Sequence, residues 1–319
     1  MAGKKIIAVL GATGAQGGGL VRAIQADPNS PFRARALTRN PGSDKAKALA
    51  ALGAEVVQGD VDDPASLDRA FAGAWGAFCV TFFWDHFSPE KEYAEAGMMA
   101  EAAKRAGIAH LVWSTLEDNR KWVPFVPLED PRLPTLMGKY KVPHFDAKGA
   151  ANELFVKSGV PTTLYNTSFY WDNFIYFGAG PKPGPDGTLY LTLPMGKAKL
   201  PGIAAEDIGK CALGVFNRTG EFVGKEIAVA GEQLTGEQMA EKLTRALKRT
   251  VKYNEVTPET YRGFGFPGAD DLGNMFQFKR DFEADFCRPR DPAFARKLNP
   301  ALQSFDQWLG MNAGKIPLE

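Results

Sequence analysis

The run Ile6-Ile7-Ala8-Val9-Leu10 is apolar without alternation, which predicts a strand buried on both faces. The chain then turns through Gly11, Gly14 and Gly17 and resumes at helical spacing with Leu20, Val21 and Ile24. Phe32 to Thr38 alternates and predicts a second strand; Lys45 to Leu52 predicts a short helix, and Ala54 to Gln58 a third strand. Asp63 before Pro64 marks a helix start, because a carboxylate caps free N–H groups and proline suits the first turn. Ala77 to Thr81 reads as strand four and runs into the aromatic cluster Phe82-Phe83-Trp84. Pro89 to about Arg105 carries Tyr93, Ala96, Met99 and Ala103 on one helical face and stops before Gly107. His110 to Thr115 is strand five, His144 opens a helix to about Ser158 that Gly159 ends, and Pro161 to Asn166 is strand six. Strands alternating with helices predict an α/β fold, a Rossmann-type doubly wound parallel sheet.

The pattern changes after Asn166. Thr167 to Phe174 is aromatic enough for either a pocket wall or core packing. Gly178 to Gly187 reads as a loop, Thr188 to Leu193 as a strand, Ile203 to Phe216 as an amphipathic helix and Lys225 to Ala230 as a further strand. Thr235-Gly236-Glu237-Gln238 is a capping box before a helix to Leu247, and Thr257-Pro258-Glu259 opens another. The expected division is a main NAD(P)-binding Rossmann domain over 1–166 and a smaller, mostly helical C-terminal lobe over 167–319. Some segments of that lobe are expected to return to the sheet, with a cleft between the two parts. Lys121 to Pro143 holds five prolines, a density that excludes helix and central strand and predicts a long surface loop over the site.

Composition narrows the class. The 319 residues are 45% hydrophobic and 24% charged with net charge +1, so no global basic field exists to hold nucleic acid or an anionic membrane. No apolar run is long enough to span a bilayer, and the first strand begins too early for a signal peptide, so cytoplasmic residence is expected. Cys79, Cys211 and Cys287 are far apart in sequence, without metal-site or disulfide-framework spacing.

Chemistry enters at the glycines. Gly11 permits a sharp exit from the strand, Gly14 lets backbone approach a pyrophosphate, and Gly17 with Gly18 allows close packing of helix on sheet. The following helix aims free N–H groups and its positive dipole end at phosphate. About 20 residues further on, where such folds meet the adenosine ribose, Arg39 stands with no carboxylate nearby in sequence until Asp44. An arginine there favours a 2′-phosphate, so NADP(H) is the expected cofactor. Asp60 or Val61 is placed to meet the adenine edge, and Thr81, Phe82 and Phe83 end strand four beside the cofactor.

The chain resembles an atypical short-chain dehydrogenase/reductase of the NmrA-like family, closest to its domain-containing proteins described as NADPH sensors. The supporting residues are Gly11 to Gly18, Thr38 to Pro41, Glu55 to Asp60, His144 to Gly149, Phe266 to Ala269, Leu272, Asn274 to Phe276 and Asp306 to Leu309. The resemblance implies a cofactor site of Gly11, Ala12, Thr13, Gly14, Ala15, Gln16, Arg39, Asp60 or its neighbours, Thr81, Phe82, Phe83, Lys148, Tyr170, Trp171, Asp172 and Asn173. The chain departs from the sensor branch at Ala94, where a lysine would help hold the cofactor, and in a longer proline-rich loop.

A typical member of the superfamily uses a tyrosine four residues before a lysine, with a serine on strand five. Here Lys148 is present and Ser114 or Thr115 is available, but His144 takes the tyrosine position. At i,i+4 spacing His144 and Lys148 share a helix face, and His144 is read either as a proton donor or as a packed residue. Tyr140 is another proton-donor candidate, separated from the helix by Pro143. Two functions follow. The absent tyrosine and the resemblance favour an NADPH sensor or regulator without turnover, acting through a protein partner. The sensor is the expected function; Lys148 and the aromatic wall keep open the alternative, an NADPH-dependent reductase of a small aromatic or unsaturated carbonyl-type substrate. A homodimer is compatible with either; neither a metal nor direct nucleic-acid binding is expected.

Overall fold

The computed structural model describes residues 3–123 and 133–318. Strand and helix alternate through the first half as β1 (Lys5–Val9), α1 (Ala15–Ala26), β2 (Phe32–Thr38), α2 (Asp44–Ala51), β3 (Glu55–Gln58), α3 (Pro64–Phe71), β4 (Gly76–Cys79), α4 (Pro89–Arg105), β5 (His110–Thr115), α5 (Pro143–Ser158) and β6 (Thr162–Asn166). The second half continues as β7 (Phe169–Tyr170), α6 (Asn173–Tyr176), β8 (Lys182–Pro183), β9 (Leu189–Leu193), β10 (Leu200–Ile203), α7 (Ala205–Asn217), α8 (Thr219–Phe222), β11 (Glu226–Ala228) and β12 (Glu232–Leu234). Then come α9 (Gly236–Leu247), β13 (Val251–Glu255), α10 (Pro258–Arg262), α11 (Ala269–Asp281), α12 (Glu283–Cys287), α13 (Pro292–Leu298) and α14 (Phe305–Asn312).

Seven strands form one sheet in the order β11-β6-β5-β4-β1-β2-β3, and every pair is parallel. Val9 lies opposite both Ala36 of β2 and Phe78 of β4, so these three strands end level and their loops share one edge. Helices cover both faces, which is why β4 and β5 are buried along their whole length. One face packs Ile7, Val9 and Phe78 against Val21, Ile24, Ile208 and Val215 of α1 and α7. The other packs Ala8, Ala77 and Trp113 against Phe71, Met99 and Phe155 of α3, α4 and α5. A third core lies in the second half, around Trp171, Phe174, Leu191, Met239, Phe276 and Trp308.

Local chemistry fixes the helices that frame the site. Ser88 caps α4 by accepting from Lys91 N at 3.2 Å, with Pro89 in the first turn. Gly159 closes α5 in the left-handed conformation at φ 78°. Asp63 caps α3, accepting from Ala65 N at 3.1 Å.

One expectation needs correction. Residues 200–203 form a strand, and the helix expected from Ile203 begins at Ala205. Gly202 lets that strand pass Trp171, whose Nε1 would stand 2.2 Å from a side chain there. The C-terminal region is helical as expected, and it also holds two three-stranded sheets, β12-β10-β7 and β13-β9-β8. Of the proline-rich stretch expected as a surface loop, residues 124–132 lie outside the described residues. Its described part is exposed at Pro134 and from Met137 to Lys139, and it is anchored where Leu133, Lys141 and Val142 are buried and Asn274 donates to the carbonyls of Pro134 (2.8 Å) and Lys141 (2.6 Å).

Candidate functional site

At the shared carboxyl edge, Gly11 takes φ +61°, a left-handed turn that a side chain would strain and that would drive a Cβ to 2.9 Å from Val80. Gly14 is the N-cap of α1 and supplies no side-chain cap, and the first turn carries no acid. The first N–H groups of α1 therefore have no intrahelical acceptor and keep their positive end exposed beside Gly11, Gly14 and Ala15. A Cβ on Gly17 would meet Gly11 O at 2.6 Å and Leu10 O at 2.7 Å, so that glycine sets the approach of α1 to its own loop. Ala12 is buried beneath the turn, and Thr13 is half-buried. This is an anion cradle built from backbone, which suits a pyrophosphate.

Next along the edge, Arg39 follows β2 and is 72% exposed in its side chain. Its Nη2 lies 3.1 Å from Oδ2 of Asp85, a residue of the 3-10 turn Phe83–Asp85 after β4. Asp60, past β3, uses its carboxylate to accept from Asp62 N at 3.0 Å, and Val61 beside it is half-buried. Phe82 is half-exposed, whereas Phe83 is buried.

Deeper in, Lys148 is engaged. Its Nζ donates to Thr81 Oγ1 at 2.6 Å and pairs with Glu92 at 2.8 Å, while Thr81 Oγ1 donates to Glu92 at 2.5 Å. Glu92 is fully buried on α4 and shares its pocket with Glu95 and His86. Burial, then the Glu92 and Asp62 charges, push the Glu95 carboxyl up to about 7. His86, Glu92 and Glu95 offer ligand atoms within 4.8 Å of one another, yet the donor set does not suit a cation. Ser88 N donates to His86 Nδ1 at 3.0 Å, so the proton sits on Nε2, which lies 3.5 Å from Glu92 and 3.8 Å from Glu95 without a hydrogen bond to either. Lys148 already supplies the positive charge.

His144 is neither isolated nor merely packed. Its Nδ1 lies 2.7 Å from Oδ1 of Asp271 on α11, and its backbone N donates to Oδ2 of the same carboxylate at 3.2 Å. A carboxylate only accepts, so Nδ1 carries the proton and Nε2 presents a lone pair. Nε2 has no hydrogen bond to any described residue. Trp84 (4.9 Å), Phe145 (4.9 Å) and Phe83 (5.9 Å) surround the ring.

Ser114, next to last in β5, donates to Gln16 Oε1 at 2.6 Å, and Gln16 Nε2 donates to Tyr170 OH at 2.5 Å. The structure thus brings Gln16, Ser114 and Tyr170 together. Tyr140 instead donates to Glu90 at 2.7 Å. Trp171 is buried in the C-terminal core, Asp172 accepts from Ala205 N at 2.8 Å at the start of α7, and Asn173 opens α6, half-buried.

The family model of the NmrA-like family matches residues 3–309. The chain belongs to the NmrA-like family. The NmrA-like family domain-containing oxidoreductase FrzB of a Cladobotryum species is 28% identical over 305 residues, covering 89% of this chain and 86% of the relative. The family oxidoreductase cpsB of Aspergillus campestris is 29% identical over 290 residues, 87% of this chain and 83% of its own. Among solved structures, NmrA, a negative transcriptional regulator, in complex with NADP superimposes with TM-score 0.76 at 26% identity, covering 97% of this chain and 95% of that one. The NADP(H) complex of the Citrobacter triphenylmethane reductase, at 20% identity and TM-score 0.73 over 97% and 99% of the two chains, shares the fold. The Rossmann-type sheet with its helical C-terminal region is thus the family's own.

Within this NmrA-like chain, sequence reasoning missed Asp85, Glu92 and Asp271. Asp271 lies 127 residues from His144 and Asp85 lies 46 from Arg39, so no local spacing connects them. Glu92 had one signal: on α4 it falls three residues before Glu95, on a face that otherwise reads apolar.

Proposed function

We propose that this chain is an NADP(H)-dependent oxidoreductase that reduces a small aromatic or unsaturated carbonyl-type substrate. The observation that carries the reading is the His144–Asp271 pair, with Nε2 presented inside an aromatic box. The glycine loop and the open first turn of α1 would hold the pyrophosphate, and Arg39 a 2′-phosphate. NADPH supplies a hydride when bound. When its Nε2 is protonated, His144 gives that proton to the substrate oxygen as the carbon is reduced, and Asp271 fixes the ring through Nδ1. Phe83, Trp84 and Phe145 exclude water around that proton and suit a flat apolar substrate. Lys148, bonded to Thr81 and Glu92, shapes the wall behind.

A second reading is the NADPH sensor or regulator. The observation favouring it is that Lys148 and Ser114 are already satisfied by Glu92, Thr81 and Gln16; the NmrA relative is itself described as a regulator. NADPH oxidation against aldehydes, quinones, imines and enones separates the two. Turnover is expected, with His144→Phe lowering kcat by about 10²–10⁴-fold and Asp271→Asn lowering it by a smaller factor while KM holds. Nucleotide binding without turnover on any member of the panel would overturn the reductase reading in favour of the sensor.

A further inference from the structure

The strand order sets β1 between β2 and β4. Arg39 directly follows β2, and Asp85 closes the 3-10 turn after β4. The bond between them therefore crosses the carboxyl end of β1, above the exposed turn of Gly11 and Gly14. Both side chains are accessible, at 72% and 47%, and each has the other as its one ion-pair partner among the described residues.

We infer that Asp85 is a cofactor-discriminating residue: it holds Arg39 in the absence of a 2′-phosphate and weakens NADPH binding by competing for the same guanidinium. The inference rests on the reading of Arg39 as the 2′-phosphate ligand. A phosphate carries nearly two negative charges and three strong acceptors, so it takes the guanidinium from a single carboxylate. Doing so leaves Asp85 without its counter-charge and beside a like charge, a cost that falls on NADPH alone. NADH offers a 2′-hydroxyl in that place and leaves the Arg39–Asp85 pair intact. Asp85 thereby narrows the preference that Arg39 by itself would impose. The sequence has no carboxylate near Arg39 until Asp44; the fold supplies one from the next loop.

The test is calorimetric titration of NADPH, NADH, 2′,5′-ADP and 5′-AMP into the wild type, Asp85→Asn, Arg39→Ala and the double variant. Asp85→Asn is expected to tighten NADPH and 2′,5′-ADP by about 3- to 10-fold, from release of an exposed pair plus relief of like-charge repulsion. NADH and 5′-AMP should stay within about 2-fold, and in the Arg39→Ala background the gain should shrink to the part that comes from like-charge repulsion. Unchanged or weaker NADPH binding in Asp85→Asn overturns the inference. So does a loss confined to NADH, which would make Asp85 a ligand of the ribose hydroxyls. If the wild type binds neither nucleotide, the cofactor reading itself fails; if it binds NADPH and the ratio does not move, only the role of Asp85 fails.

Discussion

At the level of single residues, the buried acids of α4 make a pH-dependent statement about the fold. Glu95 is held at about 7 against an ordinary value near 4.5, by burial first and by the charge of Glu92 second. Lys91, at 3.7 Å from Glu95 and 2.9 Å from Asp62, opposes this only in part, with Lys148 and His86 as the other charged or titratable neighbours. Below about pH 4.5 the carboxyl is protonated in both folded and unfolded chains, and its contribution is fully present. Between there and about 7 the unfolded chain releases the proton while the folded one keeps it, so stability falls as pH rises. Glu95→Gln should flatten that slope, gaining roughly 1–3 kcal/mol on the wild type between pH 5 and pH 8. Asp146, also pushed up to about 7 by burial, leaves a residual slope of the same sign. Urea unfolding of both proteins at the two pH values checks this, and parallel pH dependences would show that Glu95 is already ionised in the fold. The sequence marked His144 and Lys148 by their spacing, yet each one's partner comes from another element. That is why the pairing of a buried charge is harder to read from sequence than its presence.

Elements were more legible than pairs. Residues 32–38, 110–115 and 89–105 stand as their patterns predict, because strand and helix periodicities and explicit caps act locally. The strand 200–203 was hidden because its apolar residues lead straight into those of α7, and only Trp171, far off in sequence, distinguishes the two. The glycines show a related limit. Gly17 was legible as a close-packing position, whereas Gly19 and Gly209, which bring α1 against α7, carried no motif. A Cβ on Gly209 would lie 2.1 Å from Leu20 N and 2.3 Å from Gly19 C, both backbone atoms that no rotamer change can move. Gly209→Ala must therefore push the two helices apart, at a cost of about 1–3 kcal/mol or somewhat more. Because α1 carries the glycine loop at its start, NADPH affinity should fall along with stability. Denaturant titration and calorimetry read the two effects. A variant of wild-type stability would mean that the α1–α7 contact is looser than its geometry requires.

On the scale of the whole molecule, the second half of the chain is stitched into the first at several independent places. β11 pairs with β6 at the sheet edge, and α7 packs on α1 with Glu206 accepting from Arg22 Nε at 3.0 Å. Tyr170 meets Gln16, and Asp271 holds both the ring and the backbone of His144. Contacts of this kind, spread over the sheet edge, one helical layer and the site, couple the two halves energetically, so they are expected to unfold as one unit although the chain is long enough for two. A ligand that binds only the folded state then stabilises that unit as a whole. At a hundred times its dissociation constant NADPH should add about 2.7 kcal/mol, which for a chain of this size is a rise of roughly 4–8 °C in Tm. Differential scanning calorimetry with and without NADPH should show one transition that moves intact. Two resolved transitions, of which only one responds to the nucleotide, would mean that the contacts between the halves are too weak to join them. His144 and Asp271 would then meet only while the halves stay docked, and the proton-donor geometry would depend on that docking rather than on the fold of either half.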